Sequence, residues 1–274
     1  MKLKQYLKDL LSKSELKELV CSYDVIGDIA ITIIPETLEQ KESLIGQAIL
    51  ESNRRIKAVA KRVGYYGGEY RTIPLQIIAG AERKETEVKE FGLRFRLNVE
   101  TVYYSVRSGS ERRRIASLVQ EGESVLVLFS GVAPYPLVLS KYSQAAKIVG
   151  VEKNPEAHAY AMHNLTLNKK YQNIVLLNED AGAMLSAVSQ KYDRIIMPLP
   201  AGGERFLPAA IGALRSGGWL HFYDFQQQGQ FERSIDKVGR ACSALERRQE
   251  KAEIIQCGHS APRTYRLCVD ARVF

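Results

Sequence analysis

No apolar run in this chain reaches the roughly 18 residues needed to cross a bilayer, and the first stretch, MKLKQYLKDLLSKSELKELV, is charged throughout. Neither a transmembrane helix nor a signal peptide is read. Cysteine is scarce: Cys21, Cys242, Cys257 and Cys268 are scattered, with no C-x-x-C pair and no Cys/His spacing of a zinc site. Reduced thiols in a cytoplasmic protein without a bound metal are expected. Internal repeats and low-complexity linkers are also missing. Acid is in deficit: 39 Lys+Arg face 31 Asp+Glu, a net charge of +8, which favours an anionic partner and nucleic acid first. What remains is the composition of an ordinary globular protein, 274 residues with 45% hydrophobic and 26% charged positions.

The most telling segment is Ser124 to Asn154. An apolar run, Val125 to Phe129, ends in the small-residue turn Ser130-Gly131-Val132-Ala133; a helix-length segment follows, then a second apolar run closing on Glu152. Strand, glycine turn, helix, strand, acid is the wiring of a nucleotide-binding βαβ unit, in which the acid can hold ribose hydroxyls; a ligand-free structural βαβ unit has the same pattern. The dinucleotide fingerprint G-x-G-x-x-G is absent, because Ala133 and Pro136 stand where its later glycines belong. Pro134 and Pro136 also remove amide donors from the place where a pyrophosphate sits. A nucleoside cofactor without phosphates fits better, and S-adenosylmethionine is the common one.

Around this unit, regular βα alternation begins at Ser110. Strands are predicted at 124–129, 147–152, 173–177, 193–198, 217–224, 251–256 and 264–273, and helices at 110–120, 135–146, 155–168, 181–190, 203–215 and 230–246. Gly217-Gly218 reads as the end of a helix, and Asn154-Pro155 as a helix start. Seven strands closing on a hairpin give an α/β fold, a Rossmann-like class I methyltransferase sheet with its last strand antiparallel. Before it, residues 1–19 have the spacing of an amphipathic helix. Residues 20–108 read as a small α+β domain: a strand-like alternation from Tyr23 to Pro35 around the Gly27-Asp28 turn, a helix from Glu36 to Val63, strands at 75–79 and 94–102, and a charged turn region from Glu82 to Glu90. The domain of 109–274 is the methyltransferase sheet. Lys61-Arg62, Arg71, Arg94, Arg96, Arg107 and Arg112-Arg113-Arg114 interleave with Tyr65, Tyr66, Tyr70, Tyr103 and Tyr104. That is the composition of a surface for unpaired RNA, and equally of a solvated basic face over core tyrosines.

Other strand ends add candidates. Asp180, in Asn178-Glu179-Asp180, can accept from an adenine amino group or simply cap the next helix. Met197-Pro198-Leu199-Pro200 forms a stiff rim at the edge where open α/β sheets bind substrates, or merely ends a strand. In Ser108-Gly109-Ser110-Glu111, Ser110 reads as a helix cap and Glu111 as a favourable acid in the first turn.

The run ERRRIASLVQEGESVLVLFSGVAPYPLVLSK, with VYYSVRSGS before it and VGVEKNPEA and DRIIMPLPAGGERFL after it, resembles the archaeal and eukaryotic tRNA (guanine(37)-N1)-methyltransferases. SYDVIGDIAI and GGEYRTIPLQIIAG resemble that family's small domain. A relative with the same fold and cofactor, the wyosine-pathway aminocarboxypropyltransferase, is the alternative, and a catalytically silent RNA-binding relative is a third reading. The resemblance implies methyl transfer from S-adenosylmethionine to N1 of guanine 37, beside the anticodon. Guanine N1 carries a proton, so a base is needed there and a cation near O6. Glu111 matches the family's base and Arg71 its O6 partner. Arg107 and Tyr103 match residues that arrange base and cofactor, and the 103, 107, 111 spacing suggests one helical face. Phe129, Gly131, Ala133, Glu152, Asn154, Asp180, Pro198 and Pro200 match the cofactor's surroundings, Glu152 at the ribose and Asp180 at the adenine. Val127 and Ala133 depart from the family's common Asp and Gly, so contacts at the methionine end are expected to be made differently or by backbone; Pro198 stands in place of a common Asn and offers a base edge only its carbonyl. The expected partner is the tRNA anticodon stem-loop, with no DNA or membrane, and the expected state is a monomer. The chain starts where the family's small domain starts, without the additional N-terminal module of many archaeal members, so weaker discrimination by overall tRNA shape is expected.

Overall fold

Ser12 starts a second helix where the sequence predicts one continuous helix. Its hydroxyl accepts from the Glu15 amide while the Glu15 carboxylate takes the Ser12 amide, a reciprocal cap that opens a new helix. In place of one helix over 1–19, the computed structural model, which describes residues 3–65 and 67–274, has α1 (Leu3–Leu7) and α2 (Lys13–Glu18). Tyr66 lies outside the described residues. The chain forms two units that divide between Val106 and Arg107.

In the first unit, β1 (Asp24–Ile26) and β2 (Ile29–Thr32) turn at Gly27, whose φ is +59°. A Cβ there would stand 2.1 Å from Thr86 Oγ1 and 2.6 Å from the Glu87 carbonyl, so the turn requires glycine. A 3₁₀ turn, Glu36–Lys41, leads into α3 (Glu42–Ser52), which buries Ile45, Ala48 and Ile49. The predicted helix does not continue to Val63. Ala58–Arg62 is β3, parallel to β2 and antiparallel to β4 (Leu75–Gly80). Its Ala58-Val59-Ala60 are buried on both faces, and such a short apolar run has no period to separate helix from strand. The expected turn region 82–90 also contains a strand: β5 (Glu85–Glu90) pairs with β6 (Leu93–Asn98). Thr86 and Val88 face inward, while Glu85 and Glu87 bind Arg96 and Arg94 across the hairpin.

The second unit begins with α4 (Gly109–Leu118) and then alternates: β7 (Ser124–Leu128), α5 (Pro134–Tyr142), β8 (Lys147–Val151), α6 (Pro155–Leu167), β9 (Ile174–Leu177), α7 (Ala181–Ala187) and β10 (Tyr192–Met197). A 3₁₀ turn, Gly203–Phe206, precedes α8 (Leu207–Ala213); β11 (Leu214–Gln227), α9 (Glu232–Ser243), β12 (Gln249–Ala261) and β13 (Thr264–Val273) complete it. The seven strands stand in the order β12-β13-β11-β10-β7-β8-β9, with β13 antiparallel to both neighbours. This is the sheet expected from the sequence. One detail differs: Gly217-Gly218 lies inside β11, where the register to β10 shifts, and not at a helix end. A Cβ on Gly218 would meet the Asp193 carbonyl at 2.9 Å, so these glycines serve a close strand approach. Leu126, Leu128, Val149, Val151, Ile195, Met197, Leu220, Phe222 and Val269 build the core against α7, α8 and α9. No helix among the described residues is long and apolar enough to cross a membrane.

Candidate active site

Strand order reverses between β7 and β10: from β7 the chain builds outward through β8 and β9, and from β10 through β11. A crevice at the carboxyl ends of two such strands is where open α/β sheets bind ligands. Phe129, Gly131, Ala133, Pro198 and Pro200 all follow these two strand ends. Phe129, Gly131 and Ala133 have φ of +55°, +55° and +67°. For the two that are not glycine, this left-handed conformation costs about 1–2 kcal/mol each. Hydrogen bonds from the next strand hold the turn. Glu152 Oε2 accepts from the Gly131 amide at 2.7 Å and its Oε1 from the Asn154 amide at 2.8 Å. Burial nevertheless pushes the Glu152 carboxyl above its ordinary value, since amide donors only partly compensate. From α6, the fully buried Asn164 donates to the Val132 carbonyl at 3.1 Å. Sequence reading missed Asn164; its one signal was an amide on the buried side of an apolar helix.

The buried Ser130 hydroxyl, in the same turn, has no hydrogen-bond partner among the described residues. Phe129 packs edge-on to Phe206 with ring centroids 5.1 Å apart, and half-buried Pro198 and Pro200 follow the carboxyl end of β10. Asn154 caps α6 by accepting from the amides of Glu156 and Ala157. Asp180 caps α7 through Oδ1, and its Oδ2 pairs with Lys153 at 3.1 Å, which leaves Oδ2 with acceptor capacity for a further donor. An unused hydroxyl, a carboxylate at a strand end, aromatic and proline walls, and a helix start with two prolines together fit a nucleoside without phosphates. Val127 is fully buried in β7 and offers nothing to a ligand.

Glu111 lies in the first turn of α4. The capping position of this helix is Ser108, not Ser110, and the Ser108 hydroxyl accepts from Arg266 Nη1 at 2.7 Å. Arg107, exposed in the preceding 3₁₀ turn, is four residues before Glu111. Tyr103 is outside any helix, so the single face expected for 103, 107 and 111 does not form. Tyr103 and Arg71 belong to the first unit; Arg71 is half-buried with φ of +53°.

Although Glu111 is only 6% exposed, it is richly bonded. Arg114 grips it with a fork, Nε to Oε2 at 2.8 Å and Nη2 to Oε1 at 2.7 Å, and the Tyr223 hydroxyl donates to Oε1 at 2.6 Å. Burial alone would raise this carboxyl, but Arg114 and Tyr223 outweigh it and leave the group below its ordinary value. Behind Arg114 runs a buried chain. Arg114 Nη1 meets Asp270 Oδ2 at 2.5 Å, Asp270 Oδ1 meets His221 Nδ1 at 2.6 Å, and His221 Nε2 meets Arg194 Nη1 at 2.6 Å. Arg194 finally forks onto Glu123 at 2.6 and 2.8 Å. A guanidinium can only donate, so His221 Nε2 accepts and Nδ1–H donates to Asp270: the ring is neutral. Burial between two guanidiniums indeed pushes its value down, while His221 and Arg114 hold Asp270 well below the carboxylate range despite burial. His221, Cys268 and Asp270 bring potential ligand atoms within 4.8 Å of one another, and these atoms bond to each other: His221 Nδ1 and the Cys268 thiol both donate to Asp270 Oδ1.

Three kinds of likeness bear on this arrangement. The family described as the TRM5/TYW2 methyltransferase domain matches residues 86–250, and the TYW2 N-terminal domain matches residues 3–86. Over 253 residues the chain is 35% identical to the tRNA (guanine(37)-N(1))-methyltransferase Trm5b of Pyrococcus abyssi, a match covering 92% of this chain and 74% of that enzyme. It is 29% identical to the tRNA(Phe) (4-demethylwyosine(37)-C(7)) aminocarboxypropyltransferase of Methanocaldococcus jannaschii, over 91% of this chain and 97% of the other. The solved complex of aTrm5 and tRNALeu superposes with a TM-score of 0.85 at 28% identity, over 99% of this chain and 78% of the other.

Proposed function

The chain belongs to the TRM5/TYW2 methyltransferase family, and on that premise we propose that it transfers the methyl group of S-adenosylmethionine to N1 of guanine 37 in tRNA. The observation that carries this reading is the buried Glu111 carboxylate at the start of α4, held by the Arg114 fork and the Tyr223 hydroxyl, a group able to take the proton that a ring nitrogen must lose. Glu111 accepts the N1 proton. Arg71 faces the negative charge that grows on O6, and Arg107 and Tyr103 orient guanine and cofactor. Glu152 takes the ribose hydroxyls and Asp180 the adenine edge, with Phe129, Gly131, Ala133, Asn154, Pro198 and Pro200 shaping the rest of the pocket. When bound, the cofactor supplies a methyl group on a positively charged sulfur, which departs as a neutral thioether and needs no acid from the protein. Orientation of the two reactants supplies much of the remaining acceleration. The anticodon stem-loop is the RNA element engaged. The free thiols of Cys21, Cys242, Cys257 and Cys268 suit a reducing, cytoplasmic setting, in which the enzyme works as a monomer.

The test uses labelled S-adenosylmethionine and unmodified tRNA transcripts carrying G or A at position 37, with the product nucleoside mapped by mass spectrometry. Methyl on N1 of guanine, in the G transcript only, is expected. The likeness of residues 3–86 to the TYW2 N-terminal domain favours a second reading, aminocarboxypropyl transfer. The larger adduct on a 4-demethylwyosine-containing tRNA, without methyl transfer to guanine, would select it.

A further inference from the structure

We propose that Arg114 and Tyr223 form a cradle that keeps Glu111 ionised and fixes which of its oxygens takes the substrate proton, with Asp270 and His221 bracing Arg114 from behind. This rests on the reading of Glu111 as the base for guanine N1. The fork of Arg114 sets the plane of the carboxylate, because two parallel N–H donors meet its two oxygens at 2.8 and 2.7 Å. Tyr223 then fixes the asymmetry. Oε1 accepts from both Arg114 Nη2 and Tyr223 and Oε2 from Arg114 Nε, with the Cys257 thiol a further, neutral donor to the carboxylate; the guanidinium and hydroxyl together load Oε1 more heavily and leave Oε2 the freer acceptor. In the proposed step a bond forms between Oε2 and the N1 proton as the N1–H bond breaks. The electron pair left on N1 bonds to the methyl carbon, and the pair of the broken carbon–sulfur bond stays on sulfur.

The groups around Glu111 show why the cradle is needed. From α5 comes Tyr135, which donates to the Tyr223 hydroxyl at 2.9 Å; from β11, Tyr223; from β12, Cys257; from β13, Cys268 and Asp270. Burial and the Glu111 charge push the Cys257 thiol up to about 12, and burial raises Cys268, Tyr135 and Tyr223, so all four are neutral. Arg112 and Arg266 act on this cluster at its edges, through Tyr135 and Cys257. Arg114 is the one cation hydrogen-bonded to Glu111 among the described residues, and it is shared with Asp270. Without it, the two buried carboxylates lose the cation they share, and burial then favours the protonated form of Glu111. A protonated Glu111 cannot accept the N1 proton. Arg114 and Tyr223 are thus positioning residues, acting on the substrate through Glu111.

The experiment is single-turnover methyl transfer to the G37 transcript from about pH 9 down to about pH 4, far enough to reach the acid limb of the wild-type protein, with the wild type and its Arg114→Gln, Arg114→Lys and Tyr223→Phe variants. In Arg114→Gln the acid limb of the rate profile should move up by about one pH unit or more, a tenfold change in the proton affinity of the base. Arg114→Lys should recover part of that displacement, and Tyr223→Phe, which removes one donor, should show a smaller upward one. Variants that lose rate by the same factor at every pH, with the limb in place, overturn the proposal. Should Arg114→Gln not fold, Tyr223→Phe decides alone, and an unmoved limb rejects the cradle. A wild-type protein that leaves guanine N1 unmethylated removes the functional reading and the cradle with it, whereas an active wild type with unmoved variants removes the cradle only.

Discussion

As the proposed base, Glu111 must satisfy two demands that oppose each other: it is buried, yet the role requires a negative charge. Arg114 and Tyr223 resolve the conflict, and Glu111→Gln isolates what the charge contributes, because it keeps the shape of the side chain. Turnover should fall by roughly 10²–10⁴-fold, the usual contribution of a general base, while S-adenosylmethionine affinity measured by calorimetry stays unchanged. Near-normal turnover would show that Glu111 is not the base. Arg71→Ala tests the charge at O6: the chemical step in single-turnover kinetics should slow, and a change confined to tRNA affinity would reassign Arg71 to phosphate binding. At this scale sequence reading reached Glu111 and Glu152 through local motifs and resemblance. It did not reach Tyr223 and Asp270, which are 112 and 156 residues from their partners and meet them only after the sheet has folded. Arg114, three residues from Glu111, was visible only as one of a run of arginines.

Elements carry the cofactor turn more than any single contact does. β7 ends in a strained loop whose hydrogen bonds come from β8 and α6, so the spacing between β7 and β8 fixes the loop. Gly150 leaves room for the turn to pack: a Cβ on it would lie 2.7 Å from Leu176 Cδ2, 3.1 Å from Ser130 Oγ and 3.2 Å from Pro136 Cγ. Gly150→Ala should therefore cost about 1–3 kcal/mol in denaturant unfolding and also weaken cofactor binding, since it presses on the turn itself. Unchanged affinity beside lowered stability would mean that the turn absorbs the push. The strands of the second unit were legible because runs such as Val125–Leu128 and Ile148–Val151 are short, apolar and bounded by turn residues. The errors share a cause. Ala58–Arg62 lacks a distinguishing period, Glu85–Glu90 hides a strand beneath charges that are satisfied across a hairpin, and β11 starts ahead of the glycines that looked like its border.

Charge organises the molecule as a whole, though not where the first half of the sequence suggests. Residues 1–106 carry 17 Lys+Arg against 15 Asp+Glu, and residues 107–274 carry 22 against 16, so most of the +8 belongs to the second unit. Lys61, Arg62, Arg83, Arg94 and Arg96 of the first unit are each paired with an acid of the same unit. Binding of tRNA should weaken as salt rises, and charge removal at surface positions in the second unit should lower the slope of log K against log salt; a flat response would contradict an electrostatic footprint. Acid acts on the buried chain instead. The native values of His221 and His158 lie below the imidazole range, so the unfolded chain binds more protons and stability falls as pH drops below about 6.5. Glu111 and Asp270 are depressed too, and the stability they contribute at neutral pH is lost as pH falls through their native values. Glu152, raised by burial, runs the other way and returns part of that loss above its ordinary value. The expected result is a plateau above about pH 7 and a decline that begins with histidine and steepens once the carboxylates protonate. His221→Gln, which can still donate to Asp270, should make the decline between about pH 5 and 6.5 shallower in denaturant midpoints. An unaltered decline in that window would mean that His221 is not held neutral between Arg194 and Asp270.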